Sequence, residues 1–400
     1  MSSTSQKQII LESMIEALDI PDSAYENARK RYEDIGEWFG REGGLCASYE
    51  PHIFPQGSFR LGTAIRPLDQ SEEYDLDLAC KLRKGVTKQS CTQEYLKTLI
   101  GKELESYRLA RGIKAPKESR HRCWRLYYQD HLCFHMDIVP CIPEEVTKQV
   151  MIKEAMKLAG VDGTLASNIS LNLVSITDDR HERYRQICDD WLVSNPIGYA
   201  DWFESRMNQT LSKKRLFAEA QVDDVPLYKR KTPLQRVVQL LKRHRDQMFK
   251  SKENKDAKPI SVIITTLAAK AYKGETNVES AMVRILSEMA HYVNSQKPRI
   301  PNPVYPAEDF ADRWAMPQYR HLQLEQNFWA WLTQAQTDFE LLGASDDVSF
   351  ISDQIMQKFS LNVEKSILNE KLFSGAGPAS VYTPKKHPIN NTPANPWMET

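Results

Sequence analysis

The chain has 400 residues, 41% of them hydrophobic and 26% charged, which is ordinary for a globular protein and enough for two packed lobes. Lysine plus arginine and aspartate plus glutamate number 53 each, so the net charge is zero. This excludes a bulk field that gathers long nucleic acid, and leaves only local patches. No apolar run is long enough to span a bilayer and MSSTSQKQII carries no signal-peptide core, so neither a membrane nor a secreted protein is expected. The seven cysteines (46, 80, 91, 123, 133, 141, 188) are odd in number and form no CxxC pair, so reduced core thiols of a cytoplasmic protein are expected. His121, Cys123, Cys133 and Cys141 fit no standard zinc spacing.

Along the chain, apolar positions at helical spacing (Ile9, Ile10, Met14, Ile15, Leu18) predict a helix over 6–18, broken by Asp19 to Pro21. A second helix is expected over 22–40. A β-prone run at 52–55 leads into Gln56-Gly57-Ser58. Residues 74–82 alternate as a half-buried strand does, a helix follows near 92–109, and strands at 122–129 and 131–139 read as a hairpin turning at Asp130-His131. From about 180 helical patterns dominate: 182–192, 198–221, 233–249, 260–272, 277–292, 320–342 and 346–370. A Pro-rich separator lies at 297–306, and the tail after Gly375 carries five prolines with little to bury, so it is expected to be disordered. The expectation is an α+β protein of two lobes, a mixed-sheet lobe over 1–175 and a helical lobe over 176–372, with a tail over 373–400.

The chemistry sits in three carboxylates. Side chains alternate along a strand, so Asp75 and Asp77 project together while Leu76 and Leu78 point into the core. Asp137 stands among Met136, Ile138 and Val139, opposite the apolar face. A DxD pair alone is weak evidence, since most such pairs lie on surface strands or turns. Together with a third aspartate inside an apolar strand it calls for a cation, because converging carboxylates repel. Hard divalent ions with oxygen ligands fit, and two of them about 4 Å apart can clamp the oxygens of a phosphoryl displacement. A helix starting at Gly57-Ser58 would offer backbone N–H groups and the Ser58 hydroxyl to a phosphate.

These residues sit in recognisable stretches. FPQGSFRLGT (54–63), EYDLDL (73–78) and FHMDIVP (134–140) resemble the polymerase-β-like nucleotidyltransferases. The nearest likeness is to the bacterial cGAS/DncV-like enzymes, or CD-NTases, which make cyclic oligonucleotides in anti-phage defence. TPLQRVVQLLKRHRD (232–246) and NPVYPAEDFADRW (302–314) resemble that family's helical lobe. The gap between Ser58 and Asp75 is a few residues longer than usual, the surplus 69–73 being polar and loop-like.

The resemblance implies that Asp75, Asp77 and Asp137 hold two Mg²⁺ ions (Mn²⁺ as an alternative). Asp137 would also orient or help deprotonate the attacking hydroxyl. Gln56, Gly57 and Ser58 would meet the donor triphosphate. Lys242 and Ser261, at the family's spacing, would meet its phosphates, and Asp309 would line the donor-base pocket. Nucleoside triphosphates would be joined into a cyclic di- or trinucleotide, with ATP the expected substrate, adenine therefore one of the bases, and GTP or another triphosphate as an alternative second substrate. Regulatory or conjugating proteins of the same defence system are further expected partners, and a flexible tail would suit conjugation. No zinc ribbon of the DNA-gripping animal enzyme is present, so activation by long DNA is not expected. The rivals are a template-free transferase modifying RNA or protein, and an inactive nucleotide-binding scaffold.

Two basic stretches remain beside the motifs. Residues 213–258 hold fourteen Lys/Arg against six Asp/Glu, and read mostly as solvated helix faces, with His244 exposed. Residues 102–125 hold eight against three, around Trp124, Tyr127 and Tyr128, whose alternation reads as packing.

Overall fold

Ser5 caps the first helix, α1 (Gln6–Leu18), by accepting from Gln8 N at 3.1 Å, and Pro21 sets the start of α2 (Asp22–Gly40). The computed structural model describes residues 5–68, 74–128, 134–207, 231–251 and 253–373. The expected tail after 373, the expected hairpin turn at Asp130-His131, the surplus loop 69–73 and residues 208–230 lie outside them.

After α2 come β1 (Pro51–Pro55), a single helical turn α3 (Gly57–Arg60), β2 (Tyr74–Leu82) and α4 (Gln93–Ala110). Then follow β3 (Glu118–Ser119), β4 (Trp124–Tyr128), β5 (Phe134–Pro143), the helices α5 (Val146–Leu158) and α6 (Gly163–Ser170), and the strands β6 (Val174–Ile176) and β7 (Leu192–Ser194). The sheet runs β1-β2-β5-β4-β3, with β6 joined to the far half of β5 and β7 to β6. Among the described strands only β2 and β5 pair in parallel, which demands the long crossover through α4 and β4. Leu76, Leu78, Leu126, Met136 and Ile138 bury one face of this sheet against α2 and α4.

The remainder is helical: α7 (Pro196–Met207), α8 (Pro233–Met248), α9 (Ser261–Ala271), α10 (Val278–Glu288), α11 (Leu324–Leu341), α12 (Val348–Phe359) and α13 (Lys365–Phe373), with a small hairpin of β8 (Pro301–Asn302) and β9 (Tyr305–Asp309). Their apolar cluster does not follow a boundary at 175. Ile10, Leu11 and Met14 of α1 and Ile152, Met156 and Ile169 of α5 and α6 pack into it, while β7 extends the sheet.

Several helical expectations are corrected. Residues 182–191 form turns and irregular chain leading into β7, because they carry no continuous apolar stripe: Ile187 is exposed and Trp191 buried. The Asp178 carboxylate opens that segment by accepting from the Arg180 backbone N–H at 3.0 Å, an alternative to helix that short acidic side chains offer. A 3₁₀ stretch, Pro317–Leu322, is separated from α11 by Gln323 at φ +48°, and Ser360 at φ +50° divides α12 from α13. His244 is buried, not exposed. Its Nε2 lies 2.9 Å from Asp338 and its ring packs against the touching pair Phe339 and Phe359.

That last correction follows from the position of α8. Thr232 and Gln235 close a capping box with Pro233 at the first turn, and the helix then runs through the middle of the lobe, apolar on one side. Its other side is a row of donors aimed at one loop. Gln235 donates to Leu61 O (2.9 Å), Gln239 to Ala64 O (2.7 Å), Lys242 to Thr63 O (2.9 Å) and Arg243 to Arg66 O (2.5 Å). Residues 61–66, after α3, are thus held along their backbone by side chains one and two turns apart. The lobes are also tied by Lys231 and Arg236 to Asp19 and by Arg60 to Glu204.

Gln239→Leu leaves the Ala64 carbonyl buried without its donor, a loss of about 1–3 kcal/mol. Denaturant unfolding should show a lower midpoint with an unchanged slope; an unchanged midpoint would mean that the loop finds another partner.

Candidate active site

The parallel pairing of β2 with β5 sets Asp75 opposite His135 and Asp77 opposite Asp137. The apolar residues between them, Leu76, Leu78, Met136 and Ile138, are fully buried, so period two drives all four polar side chains to the other face. Asp75, His135 and Asp137 present ligand atoms within 4.8 Å of one another. Asp77 lies in the same row, its carboxylate against Gly57.

The negative charge is partly answered by the protein itself. Arg125, opposite Asp137 in the antiparallel β4–β5 pair, grips it with two parallel bonds of 2.6 Å from Nε and Nη2. His135 Nε2 lies 2.9 Å from Asp75. Burial works against a charged His135, but the hydrogen bond and charge of Asp75 outweigh it and raise its pKa above the usual imidazole value. Asp77 shows what is left uncompensated. Burial first, then the charges of Asp75 and Asp137, push its pKa well above the ordinary carboxylate range, with Arg125 and Lys242 opposing only in part. Such a site gains from a cation. Its donor set of carboxylate oxygens suits a hard divalent ion, and a bidentate arginine still leaves lone pairs free on Asp137.

The row opens on a cleft of about 1240 Å³ between the lobes. Gln56, Gly57, Ser58, Asp75, Asp77, Lys242 and Ser261 line it; Asp137 and Asp309 do not. Gln56 is fixed to β2 twice, its backbone N–H donating to Asp77 O (2.9 Å) and its side chain to Leu78 O (3.1 Å). Lys242 reaches in from α8, where burial, then Arg245, pushes its pKa down to about 8. Ser261, at the first position of α9, accepts from Arg245 at 2.9 Å. Arg66, Arg245, Lys255 and Lys258 add positive charge to the same wall. The basic stretch around 240–258 is therefore partly a cleft lining, not only a solvated face.

Asp309 has another task. Its carboxylate accepts from the backbone N–H groups of Arg299 (2.8 Å), Ile300 (2.9 Å) and Ala311 (2.9 Å), closing the β8–β9 hairpin. Its neighbours Glu308 and Phe310 face the cleft in its place, with Glu308 accepting from Asn302 Nδ2 at 2.6 Å. Sequence reasoning missed Glu308, Arg125 and His135. The acidic pair Glu308-Asp309 and the alternation of β4 were the signals present.

Gly57 is the tightest point. It takes φ +66°, and an added Cβ would fall inside contact distance of Asp77 Oδ2. Gly57→Ala should displace Asp77 and cut the rate of nucleotide transfer by about 100-fold or more, a loss near 3 kcal/mol of barrier, without loss of helix content by circular dichroism. A rate within twofold of the parent would show that the Asp77 position is not critical.

Comparison with known proteins agrees with this geometry. Residues 51–140 match the family model of the cyclic GMP-AMP synthase DncV-like nucleotidyltransferase domain. A c-di-GMP synthase of Roseivirga ehrenbergii is 30% identical over 317 residues, covering 77% of this chain and 73% of that protein. The cyclic dinucleotide synthase CdnG of Bradyrhizobium diazoefficiens is 25% identical over 320 residues, covering 76% and 69%. The solved structure of that CdnG in complex with GTP superposes with a TM-score of 0.63 at 19% identity, covering 91% of this chain and 97% of that one, and so shares the fold. The chain belongs to the DncV-like nucleotidyltransferases, the CD-NTases.

Proposed function

We propose that this enzyme joins nucleoside triphosphates into a cyclic dinucleotide with guanine in at least one position. The observation that carries the reading is the register of β2 on β5, which sets Asp75, Asp77 and Asp137 in one row beside a cleft with a basic wall. The cleft volume of about 1240 Å³ exceeds the usual range for a single small ligand, in keeping with two nucleotides bound side by side.

In each transfer a ribose hydroxyl oxygen of one nucleotide attacks the α-phosphorus of the other. The bond to the bridging oxygen breaks, pyrophosphate leaves, and the hydroxyl proton passes to a base or to water. A second transfer within the linear product closes the ring. Asp75, Asp77 and Asp137 are the residues that would hold divalent ions, Mg²⁺ in this reading with Mn²⁺ as a substitute. Bound there, such ions supply charge neutralisation at the reacting phosphate. Arg125 and His135 keep two of the carboxylates aimed. Ser58, Lys242 and Ser261 are assigned to the triphosphate, where Lys242 would exchange the Thr63 carbonyl for phosphate oxygen or share itself between them.

Guanine is favoured by Glu308. Guanine carries adjacent N1–H and N2–H donors that one carboxylate can accept together, whereas adenine offers an acceptor at N1. Burial raises the Glu308 pKa, countered by the Asn302 hydrogen bond, and a guanine donor pair would hold the charged form further. The two relatives named above, a c-di-GMP synthase and an enzyme solved with GTP, point the same way. ATP remains the expected second substrate to test. We assign the product to anti-phage signalling, with regulatory or conjugating proteins as partners, on the family likeness.

Mass spectrometry of products from the four triphosphates with Mg²⁺ should show a phosphatase-resistant dinucleotide containing guanine. Asp75→Asn with Asp77→Asn should yield none while the fold persists. Linear, phosphatase-sensitive products from the parent enzyme would favour a template-free transferase. Glu308→Gln should lower kcat/KM for GTP by about 10- to 100-fold, the worth of roughly 1–3 kcal/mol of paired hydrogen bonds, and change ATP use far less. An equal loss for both bases would remove Glu308 from base recognition.

A further inference from the structure

The polar row that carries the three carboxylates holds one residue of another kind. His135 stands opposite Asp75 in the β2–β5 register and two residues before Asp137 on β5, so the alternation of the strand sends it to the same face. Its Nε2 lies 2.9 Å from Asp75 Oδ1. On its other side β4 brings Tyr127, whose ring is 6.4 Å away and whose hydroxyl donates to Glu118 at 2.6 Å.

Ligand atoms of Asp75, His135 and Asp137 all lie within 4.8 Å of one another. An octahedral ion with bonds of about 2.1 Å has neighbouring ligands about 3.0 Å apart and opposed ones about 4.2 Å apart. The Asp75–His135 separation is that of neighbours, and the outer limit of the trio is little wider than that of opposed ligands. Asp77 is placed differently. It lines the cleft with Asp75, its carboxylate against Gly57, whereas His135 and Asp137 are not among the cleft-lining residues described. The row thus offers two unlike positions that share Asp75. One, toward the cleft, has carboxylate oxygens alone; the other, toward β4, adds an imidazole nitrogen. The members of the second keep some exposure, Asp75 most at 54%, so an ion can enter from solvent. Arg125 bonds both oxygens of Asp137 and leaves a lone pair on each.

We infer that His135 is a nitrogen ligand at the second of these positions, and that this position takes a first-row transition dication such as Mn²⁺ in preference to Mg²⁺. The inference rests on the reading above, in which the carboxylate row holds divalent ions. Mg²⁺ favours an all-oxygen shell and holds on to its waters, whereas an imidazole nitrogen adds affinity for the transition ions from Mn²⁺ onward. On binding, the nitrogen presents its lone pair to the ion, and the proton it holds against Asp75 leaves to solvent.

The test is pulsed electron paramagnetic resonance of Mn²⁺ on the full-length protein, in unlabelled and ¹⁵N-histidine samples, beside calorimetric titrations with Mn²⁺ and with Mg²⁺. The parent should show a nitrogen hyperfine coupling that changes with the label. His135→Gln keeps a side-chain N–H donor for Asp75, but its amide nitrogen has no lone pair to give. This variant should lose the coupling and bind Mn²⁺ about tenfold more weakly, with Mg²⁺ affinity changed by less than about twofold. The labelled parent needs no variant, so the result stays readable even where His135→Gln folds poorly. Mn²⁺ bound to the parent with no histidine nitrogen coupling overturns the inference and leaves the proposed function standing. A coupling unchanged in His135→Gln overturns it too, since the nitrogen then lies elsewhere. Equal weakening of Mn²⁺ and Mg²⁺ overturns it by marking His135 as a residue that only aims Asp75. A parent that binds neither ion overturns both the inference and the reading beneath it.

Discussion

Three carboxylates on two neighbouring parallel strands repel one another, and much of the remaining structure answers that repulsion. The β2–β5 register places Asp77 directly beside Asp137, and the buried leucines between the polar residues allow no other face. Arg125 and His135 each take up one carboxylate, while Asp77 keeps a raised pKa. The protein therefore stops short of neutralising its own centre. In the function proposed above, a divalent cation held by these carboxylates would complete the balance.

The opposite side of the cleft is governed by α8. Its donors grip the carbonyls of 61–66, so the loop after Gly57-Ser58 is fixed relative to the helical lobe. Lys242 belongs to both functions. It is an anchor of the loop and a cation in the cleft, with burial holding its pKa near 8. The loop after Gly57-Ser58 and the cationic wall of the cleft are thus joined through one helix.

How much of this was legible in the sequence depends on the distance over which each signal acts. Alternation along a strand decides faces locally, so the orientation of Asp75, Asp77 and Asp137 could be read from YDLDL and HMDIV. The helices α1, α4 and α8 were likewise set by local caps and periodicity, and α2 and α9 were legible from apolar spacing without a side-chain cap. Partners were not legible, because register is a property of two strands: Arg125 looked like one member of a basic run until β4 set it opposite Asp137. Asp309 and Glu308 show the same limit at one residue's spacing. The hairpin turned one acid onto backbone N–H groups and the other into the cleft. His244 was misread because KRHR suggests a solvated face, while α8 is buried on nearly every side and each polar residue has a tertiary partner.

The most direct test of the account is the binding of a divalent cation itself. Mn²⁺ titration followed by electron paramagnetic resonance, with a non-hydrolysable GTP analogue present, reports cation affinity without turnover. The account expects tight Mn²⁺ binding in the parent enzyme and about tenfold or greater weakening in both Asp77→Asn and Asp137→Asn, with Asp309→Asn unchanged. Equal Mn²⁺ affinity in the parent and in both carboxylate-row variants would contradict it, and would leave the row without the cation that its charge demands.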